Sequence, residues 1–163
     1  MRIAIVPGSF DPMTLGHVNV VERTARIFDR VIVAVMNNES KTYMLSLEER
    51  TTLAALSCAH VENVSVLSDS GMLTDLVDKV GACAIVKGIR DEKDLVYEQE
   101  MARYNREKNP RAETLYLPCE SAFSQVSSTL VRQKIASGAP LNGLLSEAAV
   151  SKLAEWGKAC PTK

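Results

Sequence analysis

The chain has 163 residues, enough for one substantial core and too few for two ordinary ones, so a single domain over residues 1–163 is expected. Its 19 Lys and Arg nearly balance 20 Asp and Glu, which excludes a uniformly basic nucleic-acid surface, and a hydrophobic content of 46% excludes intrinsic disorder. Any anion-binding site must therefore be local.

The opening "MRIAIVPGSFDP" carries one basic residue and an apolar run of about five, shorter than the ~7–15 of a signal peptide and the ~20 of a membrane span. Next to it, "GSFDPMTLGH" (8–17) places glycines, a proline, an aspartate and His17 where a first strand, "IAIV" (3–6), gives way to an amphipathic helix over about 16–28. Strand runs then recur at "VIVAVM" (31–36), "VSVL" (64–67), "CAIV" (83–86) and "TLYLP" (114–118). Helical patterns lie between them at about 46–58, 72–80 and 91–108, and after them at 127–137 and 146–158. Continuous apolar strands alternating with helices predict an α/β fold: a parallel sheet with right-handed crossovers, covered on both faces.

Local signals sharpen these elements. Ser46 and Glu49 in "SLEE" match a capping box. Tyr97, Met101 and Tyr104 form an i, i+4, i+7 stripe expected to pack into the core, leaving Glu98, Glu100, Arg103 and Glu107 to solvent, ligand or a partner. His60, in "CAHVEN", reads as a packing histidine. Cys58, Cys83, Cys119 and Cys160 are scattered, and with two histidines a zinc cluster is not expected. They read as reduced, mostly buried thiols of a cytoplasmic protein.

In an open parallel sheet, ligands bind beyond the carboxyl ends of the strands. The five loops expected there are the opening turn, "NNESK" ending in Lys41, "SDSGML", "KGIR" with Lys87 and Arg90, and "ESAFSQVSST". Three cations beside helix N-termini suit a multiply charged anion. Ser127 or Ser128 can cap the following helix, and the run of hydroxyls through Thr129 points to phosphate contact. Neither Gly-x-x-x-x-Gly-Lys-Ser/Thr nor Gly-x-Gly-x-x-Gly occurs. In the opening motif, Gly8 permits a sharp turn, Pro12 fixes the loop and Gly16 allows close approach to the backbone, with His17 beside it. No Cys/His or Ser/His/Asp arrangement identifies a covalent nucleophile.

"GSFDPMTLGH" resembles the signature of the nucleotidyltransferase superfamily marked by His-x-Gly-His, with Thr14 in place of the first histidine. That variant is similar to the phosphopantetheine adenylyltransferases. "ESKTYMLSLEER", "VKGIRDEKDLVYE" and "SQVSSTLVR" follow in that family's order and spacing, so the likeness spans about residues 1–135.

The resemblance implies a Rossmann-like, doubly wound, five-stranded parallel sheet flanked by helices, with C-terminal helices. It also implies transfer of the adenylyl group of ATP to pantetheine 4'-phosphate, giving 3'-dephospho-CoA and pyrophosphate with Mg2+, in a homohexamer subject to CoA feedback. Carried over, His17 would stabilise the transition state, and Ser9 and Phe10 would contact ATP. Ser9, Lys41, Lys87 and Leu73 would hold pantetheine 4'-phosphate. Gly88, Ile89, Arg90 and Glu98 would line the nucleotide side, and Phe123, Ser124, Gln125, Val126, Ser127, Ser128 and Thr129 would close over ATP. No side chain of the chain is implied as a metal ligand.

The sequence departs from the family where Lys87 replaces a frequent arginine, Val96 a common acid and Gln125 a frequent aromatic. Ser9 and Thr129 exchange one hydroxyl for another. A cytidylyltransferase or a nicotinamide-mononucleotide adenylyltransferase would share the fold but carry histidine at position 14. A non-catalytic ATP sensor would not need His17, Lys41, Lys87 and Arg90 together.

Overall fold

The computed structural model describes residues 1–159. Five strands, β1 (Ile3–Gly8), β2 (Arg30–Met36), β3 (Val64–Asp69), β4 (Ala84–Ile89) and β5 (Thr114–Pro118), are joined by helices α1 (Leu15–Ala25), α2 (Leu47–Cys58), α3 (Leu73–Val80) and α4 (Glu92–Lys108). Helices α5 (Ser128–Ser137) and α6 (Glu147–Glu155) follow β5. The strands form one parallel sheet in the order β3-β2-β1-β4-β5.

Side chains of successive strand residues point to opposite faces, so a strand that is apolar throughout must be covered twice. Ala4, Val6, Val31, Val33, Val35 and Val86 meet Val18 and Val21 of α1 and Ala54 of α2. Ile3, Ile5, Ile32, Ala34 and Ile85 meet Leu76 and Val77 of α3 on the other face. A third cluster, including Leu45, Leu53, Val131, Leu144 and Leu153, joins α5 and α6 to α2. At about 1.5–3 kcal/mol for each large aliphatic side chain fully removed from water, these clusters supply the main drive to fold.

The sheet reverses its direction of growth between β1 and β4, and the ladder there is short. β1 pairs with β2 from Ile3↔Arg30 through Gly8↔Val35, but with β4 only at Ala4↔Ala84 and Ile5↔Ile85. Beyond that point β1 and β4 splay, and α1 enters beneath the gap. A Cβ at Gly88 would lie 2.7 Å from Cγ2 of Val20, so this approach of α1 to β4 requires glycine. A crevice thus opens at the carboxyl ends of the strands, at the topological switch point.

Several strands run past their apolar segments, because the ladder continues through Pro7–Gly8, Ser68–Asp69 and Lys87–Ile89. The helix expected over 16–28 ends at Ala25, where the Arg26 amide donates back to Glu22. The Tyr97, Met101 and Tyr104 stripe is not core: the three are 56%, 37% and 42% exposed. α4 packs on β4 and α3, and this stripe faces the crevice at the strand ends instead of the sheet.

The thiols are also less buried than expected. Cys58 is buried, Cys83 is exposed just before β4, Cys119 is partly exposed just after β5, and Cys160 lies outside the described residues. His60, in the turn after α2, pairs on the surface with Glu22 (2.6 Å) rather than packing.

Candidate active site

The turn after β1 depends on contacts that no single residue reveals. A Cβ at Gly8 would sit 2.8 Å from the Phe10 ring, so only glycine lets that ring fold back over the strand end. Phe10 adopts a left-handed φ of +47°, is 4% exposed and meets His17 edge-on at 5.2 Å. Its unfavourable backbone is held from outside. Arg50 Nη1 donates to the Ser9 carbonyl (2.8 Å), Arg132 Nη1 to that of Asp11 (2.8 Å), and Ser128 Oγ to that of Pro12 (2.8 Å). The buried Asp11 carboxylate accepts the amides of Met44 (2.8 Å) and Leu45 (2.9 Å), fixing the far end of the segment that carries Lys41.

Thr14 caps α1 in a reciprocal capping box. The His17 amide donates to Thr14 Oγ1 (3.4 Å), and the Thr14 amide donates to His17 Nδ1 (3.0 Å). An Nδ1 that accepts a backbone N–H cannot carry the proton of neutral imidazole, so the proton is assigned to Nε2. His17 is half-buried and keeps access to the cavity, yet protein surrounds the ring closely enough that desolvation dominates its titration. Desolvation, then the charges of Arg90 and Lys87, push its pKa down to about 4. At neutral pH it is an uncharged hydrogen-bond donor. The Leu15 and His17 amides already have protein acceptors, so α1 offers an anion its dipole more than a free row of N–H groups. Its first turn holds no acid.

Gly8, Ser9, Phe10, Thr14 and His17 line a cavity of about 870 Å³. Of the residues expected from sequence, Ser9, Phe10, His17, Lys41, Leu73, Lys87, Gly88, Arg90, Glu98, Phe123, Val126, Ser127, Ser128 and Thr129 line it, whereas Ile89, Ser124 and Gln125 do not. Two of its cations are held by carboxylates of α4. Lys87 Nζ lies 3.1 Å from Glu98 Oε1, and Arg90 forks onto Asp94 (Nε–Oδ2 2.8 Å, Nη2–Oδ1 3.2 Å). The Arg90 hydrogen bond holds the Asp94 carboxyl below the usual carboxylate range.

The hydroxyls at α5 have protein partners too. Ser127 is the cap, accepting the Leu130 amide (3.1 Å), Ser128 reaches Pro12, and Thr129 accepts from Arg132 (3.1 Å). A shallower hollow of about 580 Å³ between α4 and β5 carries Arg103, Arg106, Glu100 and Glu113, charges that offset one another, and none of the expected site residues.

Sequence reasoning missed Arg50, Asp11 and Arg132, which brace the turn after β1, and Tyr43 and Asn105, which line the cavity. Arg50 had a detectable signal, because Leu47, Arg50 and Ala54 share one helical face with apolar neighbours.

A doubly wound parallel sheet, an anion-suited cavity at its switch point and a histidine in the first turn of α1 together define a nucleotidyltransferase of the cytidylyltransferase-like class. The cytidylyltransferase-like family matches residues 5–134. A crystal structure described as that of a candidate nicotinate-nucleotide adenylyltransferase from Vibrio parahaemolyticus superposes with a TM-score of 0.76 over 99% of this chain and 98% of its own, at 20% identity, a likeness of fold. Phosphopantetheine adenylyltransferase of Synechococcus sp. is 42% identical over 153 residues, 94% of this chain and 96% of that protein. That of Heliobacterium modesticaldum is 38% identical over 155 residues, 95% of this chain and 92% of its own. The chain belongs to the phosphopantetheine adenylyltransferase family.

Proposed function

We propose that this protein transfers the adenylyl group of ATP to pantetheine 4'-phosphate, forming 3'-dephospho-CoA and pyrophosphate in coenzyme A biosynthesis. The observation that carries the reading is a neutral His17, fixed by Thr14, in one cavity with Lys41, Lys87 and Arg90. The acceptor's phosphate brings its own negative charge, so the step needs alignment and charge stabilisation rather than a strong base.

An oxygen of that phosphate attacks the α-phosphorus in line, and the bond from the α-phosphorus to the oxygen bridging the β-phosphate breaks. The electron pair leaves with pyrophosphate. His17 Nε2–H donates to the charge growing on the α-phosphate. Lys41, Lys87 and Ser9 hold the acceptor's phosphate, Lys87 turning from Glu98 to do so. Leu73 lies along the pantetheine arm, and the exposed Tyr97–Met101–Tyr104 face shares the same cavity. Phe10, Gly88, Arg90 and Glu98 serve the nucleotide, and Phe123, Val126, Ser127, Ser128 and Thr129 close over it, while Ile89, Ser124 and Gln125 lie outside the lining.

Mg2+ belongs in this reading as part of the substrate, carried on the phosphates of ATP and kept largely in water ligands. Among the described residues no group of three His, Cys, Asp or Glu side chains is placed to hold a metal ion. A homohexamer, CoA feedback and a cytoplasmic location belong to the proposal; among the described residues no helix is long and apolar enough to cross a membrane.

The direct test is pyrophosphate release from ATP with pantetheine 4'-phosphate, set against nicotinamide mononucleotide and against CTP with phosphocholine. Turnover should be confined to the first pair, and preference for either other pair would overturn the assignment. Lys41→Ala should raise KM for pantetheine 4'-phosphate by about 10–100-fold, the equivalent of one charged hydrogen bond, with little change for ATP. Weakening of ATP alone would remove Lys41 from the acceptor site.

A further inference from the structure

We infer that Arg50, which does not line the cavity, is a positioning residue that sets the spacing of Ser9 and Lys41 and thereby controls capture of the acceptor's phosphate. The inference rests on the acceptor proposed above.

Arg50 projects from α2 and is 1% exposed. Its Nη1 donates to the carbonyls of Ser9 (2.8 Å) and Met36 (3.1 Å), and its Nη2 to Asn37 Oδ1 (2.7 Å). The guanidinium lies over the Tyr43 ring, 3.8 Å from its centroid. Tyr43 Oη in turn accepts the Asn38 amide (3.0 Å), and the Asn38 carbonyl accepts the Lys41 amide (3.0 Å). One planar group thus links the turn after β1, which presents Ser9, to the turn after β2, which presents Lys41.

The choice of residue is costly. A fully buried cation whose partners are neutral acceptors and a ring face forfeits much hydration, and its Nε has no hydrogen-bond partner among the described residues. A leucine or methionine would fill the same space at lower cost, so packing does not account for arginine. A guanidinium does: it donates along fixed directions to three acceptors on two loops while stacking on a fourth group, which a lysine ammonium cannot reproduce.

Arg50→Lys and Tyr43→Phe test this in the full chain, by pyrophosphate release with KM measured separately for each substrate and melting temperature recorded alongside. Arg50→Lys should raise KM for pantetheine 4'-phosphate by about tenfold or more while KM for ATP moves less than about threefold. Tyr43→Phe keeps the ring but deletes the acceptor for Asn38, and should shift the same ratio by about fivefold. A merely structural arginine would lower stability or the active fraction and leave the ratio of the two KM values alone; that outcome overturns the inference. If Arg50→Lys does not fold, the ratio in Arg50→Met, which fills the same space without the donors, decides. A wild type that releases no pyrophosphate with pantetheine 4'-phosphate overturns the acceptor assignment and this inference with it. A wild type that turns over, beside variants that keep its KM ratio, overturns the role of Arg50 alone.

Discussion

Replacing His17 by alanine is expected to lower kcat by about two to three orders of magnitude while ATP binds nearly as before, the usual cost of deleting one donor aimed at developing charge. The ring is placed for that donation alone. Its Nδ1 is occupied by the Thr14 amide, its Nε2 carries the proton, and burial with the neighbouring Arg90 and Lys87 charges keeps it neutral down to about pH 4. His17→Gln, which retains an N–H donor, should recover part of the loss.

The pH dependence separates this role from general base catalysis. A histidine base would impose its own titration, but a ring with a pKa of about 4 does not change charge between pH 5 and 8. The acid limb should instead follow the second ionisation of the acceptor's phosphate, near pH ~6, and persist in His17→Gln. Disappearance of that limb in the variant, or near-normal turnover in His17→Ala, would end the assignment. Stability has a matching sign. The folded pKa of about 4 lies below the ordinary 6.5, so the unfolded chain binds more protons between those values. Stability therefore falls as pH drops through that window, and His17→Gln should lose that part of the dependence.

The residues legible in the sequence were those whose signal is local. Uninterrupted runs such as "VIVAVM" mark strands because only a sheet covered on both faces buries them, and "SLEE" marks a helix start because its capping box closes within one turn. The loops carrying Lys41, Lys87, Arg90 and His17 could be assigned to one edge because every strand of a parallel sheet ends on the same side. What stayed hidden depends on partners far apart in the chain. Arg50 and Ser9 are 41 residues apart, Asp11 and Leu45 are 34, and Arg132 and Asp11 are 121.

The aromatic stripe on α4 failed for a related reason. Periodicity reports which residues share a face but not whether anything covers it, and this face borders the open cavity. Thr14 was visible as a missing histidine. Its roles as helix cap and as the residue that sets the His17 tautomer are visible only in the fold.

Gly8→Ala should be the most damaging single-methyl change in the opening motif, lowering both stability and turnover. The added Cβ would lie 2.8, 2.8 and 3.1 Å from three carbons of the Phe10 ring. That ring has little room to yield, being 4% exposed and set edge-on to His17, on a backbone already at φ +47°. Either Phe10 swings out and withdraws its support from His17, or the end of β1 pulls away from β2 at the Gly8↔Val35 pair. Overpacking of this kind costs about 1–3 kcal/mol, or roughly 2–12 °C in melting temperature for a chain of this size. A shift of about 1 Å in His17 suffices for a ~100-fold loss of kcat.

Gly16→Ala is the control that isolates the cause. Its Cβ would meet Phe123 Cβ at 3.5 Å, Thr14 Oγ1 at 3.6 Å and the Val126 carbonyl at 3.8 Å, all ordinary contacts, and alanine in a helix is favoured over glycine by about 0.5–1 kcal/mol. Gly16 lines the cavity, so Gly16→Ala should hold or raise the melting temperature while KM for ATP rises. Wild-type stability and kcat in Gly8→Ala would mean that the Phe10 ring yields freely and does not fix His17. Unchanged ATP affinity in Gly16→Ala would mean that the nucleotide does not approach the backbone there.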